Sequence, residues 1–344
     1  MKALVKVSKE AGRLEVRDVE RPQITPDQVL VEVKAAGICG SDVKHYQGVT
    51  KIKPPIVLGH EFSGRIVEVG ENARHWSVGA RIISETSAYV CGHCRYCSTG
   101  DFYSCPERKG YGGVKGVDGV FTKYVAVPAR LLHEIPVALS YDEAAVVQPC
   151  ADIVNAVTRK AKIFAGDTVA VLGPGPMGLL TTQVAKAQGA GRVIQTGHRG
   201  LRLKIAEEVG ADVVIPVEEE DPVKGIDELT DGVGVDVVFV VVSAASAATQ
   251  AFDMVRKQGQ VTFIAVPSQP VRFDFNKLFR KELVVRGSIM SKWIDYERAI
   301  NLISTGQVRV KPLITHKLPI TQWKQAFDAI LERKDAAKII FTPV

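Results

Sequence analysis

Between residues 166 and 190 the chain reads GDTVAVLGPGPMGLLTTQVAKAQGA, and no other stretch restricts the fold so narrowly. Thr168 to Leu172 is a short apolar run of strand type, followed by Gly173, Pro174, Gly175, Pro176, Met177 and Gly178 and then by a helical pattern. A lone G-x-G-x-x-G is a weak signal, but this one stands between a strand and a helix, as a dinucleotide phosphate site requires. The first glycine permits the tight turn and the second lets backbone amides approach a pyrophosphate. The third lets the helix pack close, so that its N-terminal dipole faces the anion. Downstream, the apolar runs RVIQT, DVVIP, VDVVFVVV, QVTFIAV and ELVVRGS alternate with helical stretches. That rhythm predicts a parallel, doubly wound sheet over 153–290; a glycine turn in some other α/β protein is the alternative.

At 344 residues the chain exceeds one ordinary core, so two domains are expected. With 46% hydrophobic and 24% charged residues it reads as globular, neither disordered nor fibrous. The opening MKALVKVSKEAGRLEVRDVE alternates apolar and polar residues and lacks the apolar core of a signal peptide. No apolar run reaches the roughly 18 residues of a membrane span, so no membrane partner and a cytoplasmic location are expected. The net charge of +6 is mild and spread along the chain. Without basic and aromatic residues interleaved, it gives no reason to expect a nucleic-acid partner.

Four of the six cysteines fall in CGHCRYCSTGDFYSC, as Cys91, Cys94, Cys97 and Cys105. In a reducing compartment this C-x2-C-x2-C-x7-C spacing points to metal and not to disulfides. Four thiolates closing on one zinc leave no position for water or substrate, so such a site shapes a lobe, here 88–108, and does no chemistry. His93, inside the knuckle, is then a spectator.

Cys39 follows the alternating run QVLVEVKAAG, and His60 and Glu61 stand in VLGHEFSGRIVEVG. One thiolate, one imidazole and one carboxylate suit a catalytic zinc with an open position, although spacing alone leaves a chance grouping equally open. The end of the second strand bears on the nicotinamide cofactor. An NAD site usually has a carboxylate there, for the ribose 2′-hydroxyl. This chain has Gly197, His198, Arg199 and, further on, Arg202. Two guanidiniums can pair with a 2′-phosphate, which favours NADP over NAD; a solvated basic turn is the alternative. PVEEEDP, at 216–222, reads as a charged surface loop.

With GICGSD, GHEFSGRIVEVG, the four-cysteine lobe and the glycine loop in this order, the chain resembles the zinc-containing medium-chain dehydrogenases from end to end. The resemblance implies an α/β architecture: a GroES-like, β-rich catalytic domain (1–152 and 291–344) and a Rossmann domain (153–290), with the active site in the cleft between them. Within the family the chain is more similar to the sorbitol, polyol and sugar dehydrogenases than to the liver alcohol dehydrogenases. Gln148-Pro149 stands where sorbitol-type enzymes have Glu-Pro and alcohol dehydrogenases a second cysteine.

Carried over, the resemblance puts Cys39, His60 and Glu61 on the catalytic zinc, with Gln148 as a fourth ligand or a partner of the zinc-bound water. Ser41 matches the relay hydroxyl that takes the substrate proton. Lys44 stands where many relatives have a histidine, and His45 is a further relay candidate. Asp152 departs from the small or apolar residues of relatives, and an arginine used beside the substrate in sorbitol dehydrogenases is lacking near RGSIMSK. Cys150 is expected to be a buried thiol. Trp293 and Tyr296 are expected to pack the helix that returns the chain to the first domain, an aromatic wall for substrate being the alternative. The reading is a zinc-dependent, NADP-preferring oxidoreductase of polyols, sugars or related secondary alcohols, dimeric or tetrameric. L-threonine and aliphatic alcohols stay open as substrates. The rival classes are a zinc-ribbon binding protein and an NADPH-binding protein without turnover.

Overall fold

The computed structural model describes residues 1–113, 117–332 and 335–343. The chain divides into two compact units. Met1–Pro149, Ser291–Ser304 and Ile314–Val344 form the first, and Cys150–Met290 with Thr305–Leu313 the second. Relative to the expected bounds, residues 150–152 and Thr305–Leu313 go with the second unit. Side-chain hydrogen bonding holds the latter segment: the Gln183 amide accepts from the Arg309 backbone N–H at 2.7 Å and donates to the Arg309 carbonyl at 3.3 Å.

In the first unit the strand Gln28–Gly37 carries Val29, Val31, Val33 and Ala35 inward, with Glu32 and Lys34 between them less buried. This period of two makes one face of the strand apolar. Gln28–Gly37 lies at the middle of a seven-stranded sheet, antiparallel to Glu61–Val69, Tyr124–Pro128 and Lys338–Thr342. A three-stranded sheet is built from Leu14–Asp18, Lys2–Lys6 and Ile56–Val57. Val31, Phe62, Ile66, Phe121, Phe327 and Phe341 sit in one continuous apolar core. Burying each such side chain contributes about 1.5–3 kcal/mol.

The second unit is a six-stranded sheet in the order Val213–Pro216, Arg192–Gly197, Thr168–Leu172, Val235–Val240, Val255–Phe263, Val284–Gly287, with every pair parallel. The order reverses on either side of Thr168–Leu172, the doubly wound arrangement expected from the sequence. Val169, Ala170 and Val171 are fully buried, as a strand covered on both faces must be. The glycine loop therefore leaves the sheet at its topological switch point. Trp293–Ser304, expected to return the chain to the first domain, belongs to the first unit.

Candidate active site

Two antiparallel strands bring the mixed ligand set together. Gly37 ends one strand opposite Glu61, which begins the other. Cys39 lies two residues beyond Gly37 and His60 one before Glu61, so register alone brings the three to one end of the sheet. Their ligand atoms all lie within 4.8 Å of one another. A buried carboxylate fixes this arrangement. Asp42 is 0% exposed; its two oxygens accept from the Cys39 N–H at 2.9 Å and the Gly59 N–H at 3.2 Å, and it lies 3.8 Å from His60 Nδ1. Burial pushes the Asp42 carboxyl above its usual range. Burial also opposes charge on His60, but Asp42, Cys39 and Glu61 outweigh it and raise the imidazole to about 10. A tight cluster of thiolate, imidazole and carboxylate is the donor set a zinc ion takes.

Glu61 has a second partner that the sequence did not reveal. Lys338 is 2% exposed, and its Nζ forms an ion pair with Glu61 and donates to the Ile38 carbonyl at 3.0 Å. Gly37 makes room for this pair, since a Cβ there would overlap the Glu61 carboxylate and crowd the Lys338 Cε at 2.9 Å. Asp42 had a readable signal, because an acid three residues after the residue that starts a helix is a capping pattern. Lys338 had none: 277 residues separate it from Glu61.

Ser41, Lys44 and His45 lie on the short helix Gly40–Tyr46, which Cys39 caps. Ser41 is three residues from Lys44 and four from His45, so each is its neighbour along the helix. Lys44 is exposed, Ser41 half-buried and His45 buried. His45 Nδ1 shares a 2.6 Å hydrogen bond with Thr50 Oγ1, and burial pulls its imidazole down to about 4, so it is neutral near pH 7. Gln148 is buried on the helix Val147–Val154. Cys150 is fully buried, with its thiol pushed up to about 12 by burial and by Asp152, itself half-buried.

The ligand atoms of Cys91, Cys94, Cys97 and Cys105 form a second group within 4.8 Å, and all six cysteines of the chain are free thiols. The Sγ atoms of Cys91 and Cys97 stand 3.9 Å apart. A tetrahedron of sulfurs at about 2.3 Å from zinc has edges near 3.8 Å, so the donors fit that ion. Cys97 and Cys105 pack with Val90 and Leu131 in a small core of their own. His93 is exposed, its ring 3.0 Å from the Cys91 carbonyl. It also falls with Cys91 and Glu107 in a third, mostly exposed group.

In the second unit the glycine loop has the geometry its spacing predicts. Gly173 has φ +114°, and a Cβ there would overlap Val242; a Cβ on Gly178 would overlap the Gly173 carbonyl. Gly175, which precedes the helix Pro176–Ala187, faces open space, so a ligand can approach the backbone. Gly197 ends its strand against Pro174 of the loop, where a Cβ would also overlap. The surroundings of His198 and Arg199 differ from the expectation that no carboxylate is present. The loop after the neighbouring strand supplies two: Glu218 lies 2.6 Å from His198 Nδ1 and accepts from the Arg199 N–H at 3.2 Å, and Glu219 forms an ion pair with Arg199. The PVEEEDP loop is exposed and charged, as expected, but part of its charge is spent on the basic turn.

His133, to which the sequence assigned nothing, is buried; its Nδ1 lies 2.5 Å from Glu297 and its Nε2 3.8 Å from Glu85. Its ring stacks on Tyr296 at 4.9 Å, with 9° between the planes.

Comparison with known proteins shows the family of the chain. Residues 25–137 match the alcohol dehydrogenase GroES-like domain, and residues 176–305 match the zinc-binding dehydrogenase domain. A sorbitol dehydrogenase of Halalkalibacterium halodurans is 43% identical, with 100% of both chains covered. An L-threonine 3-dehydrogenase of Bacillus licheniformis is 36% identical over 100% of this chain and 99% of that one. A protein of Sinorhizobium meliloti solved bound to NADP superposes with a TM-score of 0.90 at 32% identity, covering 99% of each chain.

Proposed function

This chain belongs to the zinc-containing medium-chain dehydrogenases, and we propose that within that family it acts on polyols, sugars or related secondary alcohols, with NADP preferred. The observation that carries the reading is the convergence of Cys39, His60 and Glu61 on one point beside the buried Asp42. The sorbitol dehydrogenase relative and Gln148-Pro149 support the substrate class.

Cys39, His60 and Glu61 would hold the catalytic zinc, with Gln148 as a fourth ligand or a partner of its water. The four lobe cysteines would hold the structural zinc, and the glycine loop the cofactor pyrophosphate. When bound, the catalytic zinc would supply Lewis-acid polarisation of a substrate hydroxyl, and the nicotinamide would supply hydride chemistry at the carbinol carbon. The chain's own residues position and move the proton. Ser41 Oγ takes the substrate hydroxyl proton as it gives up its own. His45, neutral and tied to Thr50, takes it up in turn, or the exposed Lys44 takes it up as it releases a proton of its own to water. Asp42 holds Cys39 in place by accepting from its backbone N–H and stands 3.8 Å from His60 Nδ1.

Six free thiols suit a reducing cytoplasm, and no helix among the described residues is long and apolar enough to cross a membrane. Val284–Gly287 is the edge strand of the second sheet, with Val284 and Val285 each 40% exposed. Pairing of this edge with a second copy would give a homodimer or homotetramer.

The test is absorbance at 340 nm for zinc-loaded protein with NADP or NAD against polyols, aldoses, secondary alcohols and L-threonine. Turnover of polyols or sugars, faster with NADP, is expected. Turnover confined to L-threonine selects the second reading, which the Bacillus licheniformis relative favours. Silence across the panel overturns the substrate class.

A further inference from the structure

We propose that Glu218 and Glu219 are specificity-determining residues: as built-in counterions of His198 and Arg199, they limit how far the site prefers NADP over NAD. The inference rests on the reading of the glycine loop as a nicotinamide dinucleotide site.

The placement comes from the parallel register of the second sheet. Gly197 pairs with Pro216, and the Val217 N–H donates to the Gly197 carbonyl at 3.0 Å. The turn that follows is closed by the N–H groups of Glu219 and Glu220, both donating to the Pro216 carbonyl, at 3.0 and 3.1 Å. Residues 217–220 are thereby fixed beside the end of the strand Arg192–Gly197. That end abuts the glycine loop, because Gly197 packs against Pro174 and the Gly173 N–H donates to the Thr196 carbonyl at 2.9 Å. In a doubly wound sheet this corner receives the adenosine ribose and its 2′ substituent.

Each acid of the loop has a different task. Glu218 pairs with His198 and accepts from the Arg199 backbone, and Glu219 pairs with the Arg199 guanidinium. Glu220 turns away toward Gly225, and Asp221 caps the helix Pro222–Leu229 by accepting from Val223 at 2.8 Å. Two carboxylates are thus committed to the basic turn and two are not.

The consequence for the ligand is electrostatic. A 2′-phosphate brings about two negative charges to a corner where two carboxylates already face His198 and Arg199. It must either displace Glu219 from Arg199 or bind against both glutamates. A 2′-hydroxyl meets no such opposition and has a carboxylate within the corner to accept from it. Arg199 alone would discriminate strongly for NADP, whereas Arg199 with Glu218 and Glu219 discriminates weakly. All four side chains are substantially exposed, so solvent screens the effect and salt reduces it.

The experiment is equilibrium binding followed by nicotinamide fluorescence. The zinc-loaded wild type, Glu218→Gln/Glu219→Gln and Arg199→Gln are titrated with NADPH and with NADH at low ionic strength. In the double glutamine variant the ratio of the NADH to the NADPH dissociation constant should rise about tenfold, mainly through tighter NADPH. In Arg199→Gln the ratio should fall. Both differences should shrink at high salt. All three positions are exposed, and a circular dichroism spectrum and Tm like those of wild type confirm that the variants are folded. An unchanged ratio in the double variant overturns the inference. Weaker NADPH binding there also overturns it, because it makes the glutamates supports of the phosphate site and not opponents. Failure of the wild type to bind either nucleotide overturns the dinucleotide reading itself, and the inference with it.

Discussion

The three residues proposed as catalytic zinc ligands are held by two others, Asp42 and Lys338, of opposite charge and with little or no exposure. The Glu61–Lys338 pair is the more consequential for stability, since neither partner has access to water that could solvate it alone. Removing one partner of a buried pair costs about 3–5 kcal/mol, far more than any exposed ion pair contributes. Lys338→Met should therefore lower Tm by more than about 5 °C in a thermal melt. A shift below about 2 °C would show that Glu61 finds another partner when the lysine is gone. The Cys39, His60 and Glu61 set was legible in the sequence as residue types at plausible spacing. Its supports were legible only in part, through the capping position of Asp42.

At the scale of elements, the helix Trp293–Ser304 is tied to the strand Leu132–Glu134 through His133. That imidazole faces Glu297 and Glu85, and Asp295 and Arg108 also act on Glu85. Burial alone would lower the His133 pKa, but the hydrogen bond with Glu297 and the nearby Glu297 and Glu85 carboxylates raise it above its ordinary value near 6.5. Burial raises Glu85 as well. Both shifts have the same sign for stability. A group whose folded pKa is raised contributes fully below its unfolded value and loses that contribution as pH rises through the folded one. Wild-type Tm should thus fall between pH 6 and pH 9 more steeply than that of His133→Gln. Equal slopes in the two melts would mean that His133 does not take up the proton its surroundings favour. No sequence pattern pointed to this contact, because the partners lie 164 residues apart and each looks like an ordinary polar surface residue.

For the whole molecule, two cysteine sets in one unit are assigned different work, and metal content separates them. Purified protein should hold about two zincs per chain. Cys39→Ser should lose one zinc and most turnover while its Tm changes little. Cys97→Ser should lose the other zinc and melt at a clearly lower temperature, because the small core around Cys97, Cys105, Val90 and Leu131 has little else to hold it. Metal analysis and melting curves on the two variants check this, and a reversal of the two patterns would exchange the roles. By itself the sequence determined the parallel sheet, the glycine loop and the four-thiolate lobe. Each is written in consecutive residues, where local periodicity and short spacing carry the physics. Tertiary structure decided the burial of Lys338 against Glu61, the seat of His133 and the presence of carboxylates beside Arg199. Those contacts join residues distant along the chain, and strand register brings Glu61 beside Cys39 and Glu218 beside His198. A charge that looks solvated in the sequence acquires its partner only when the sheet is assembled.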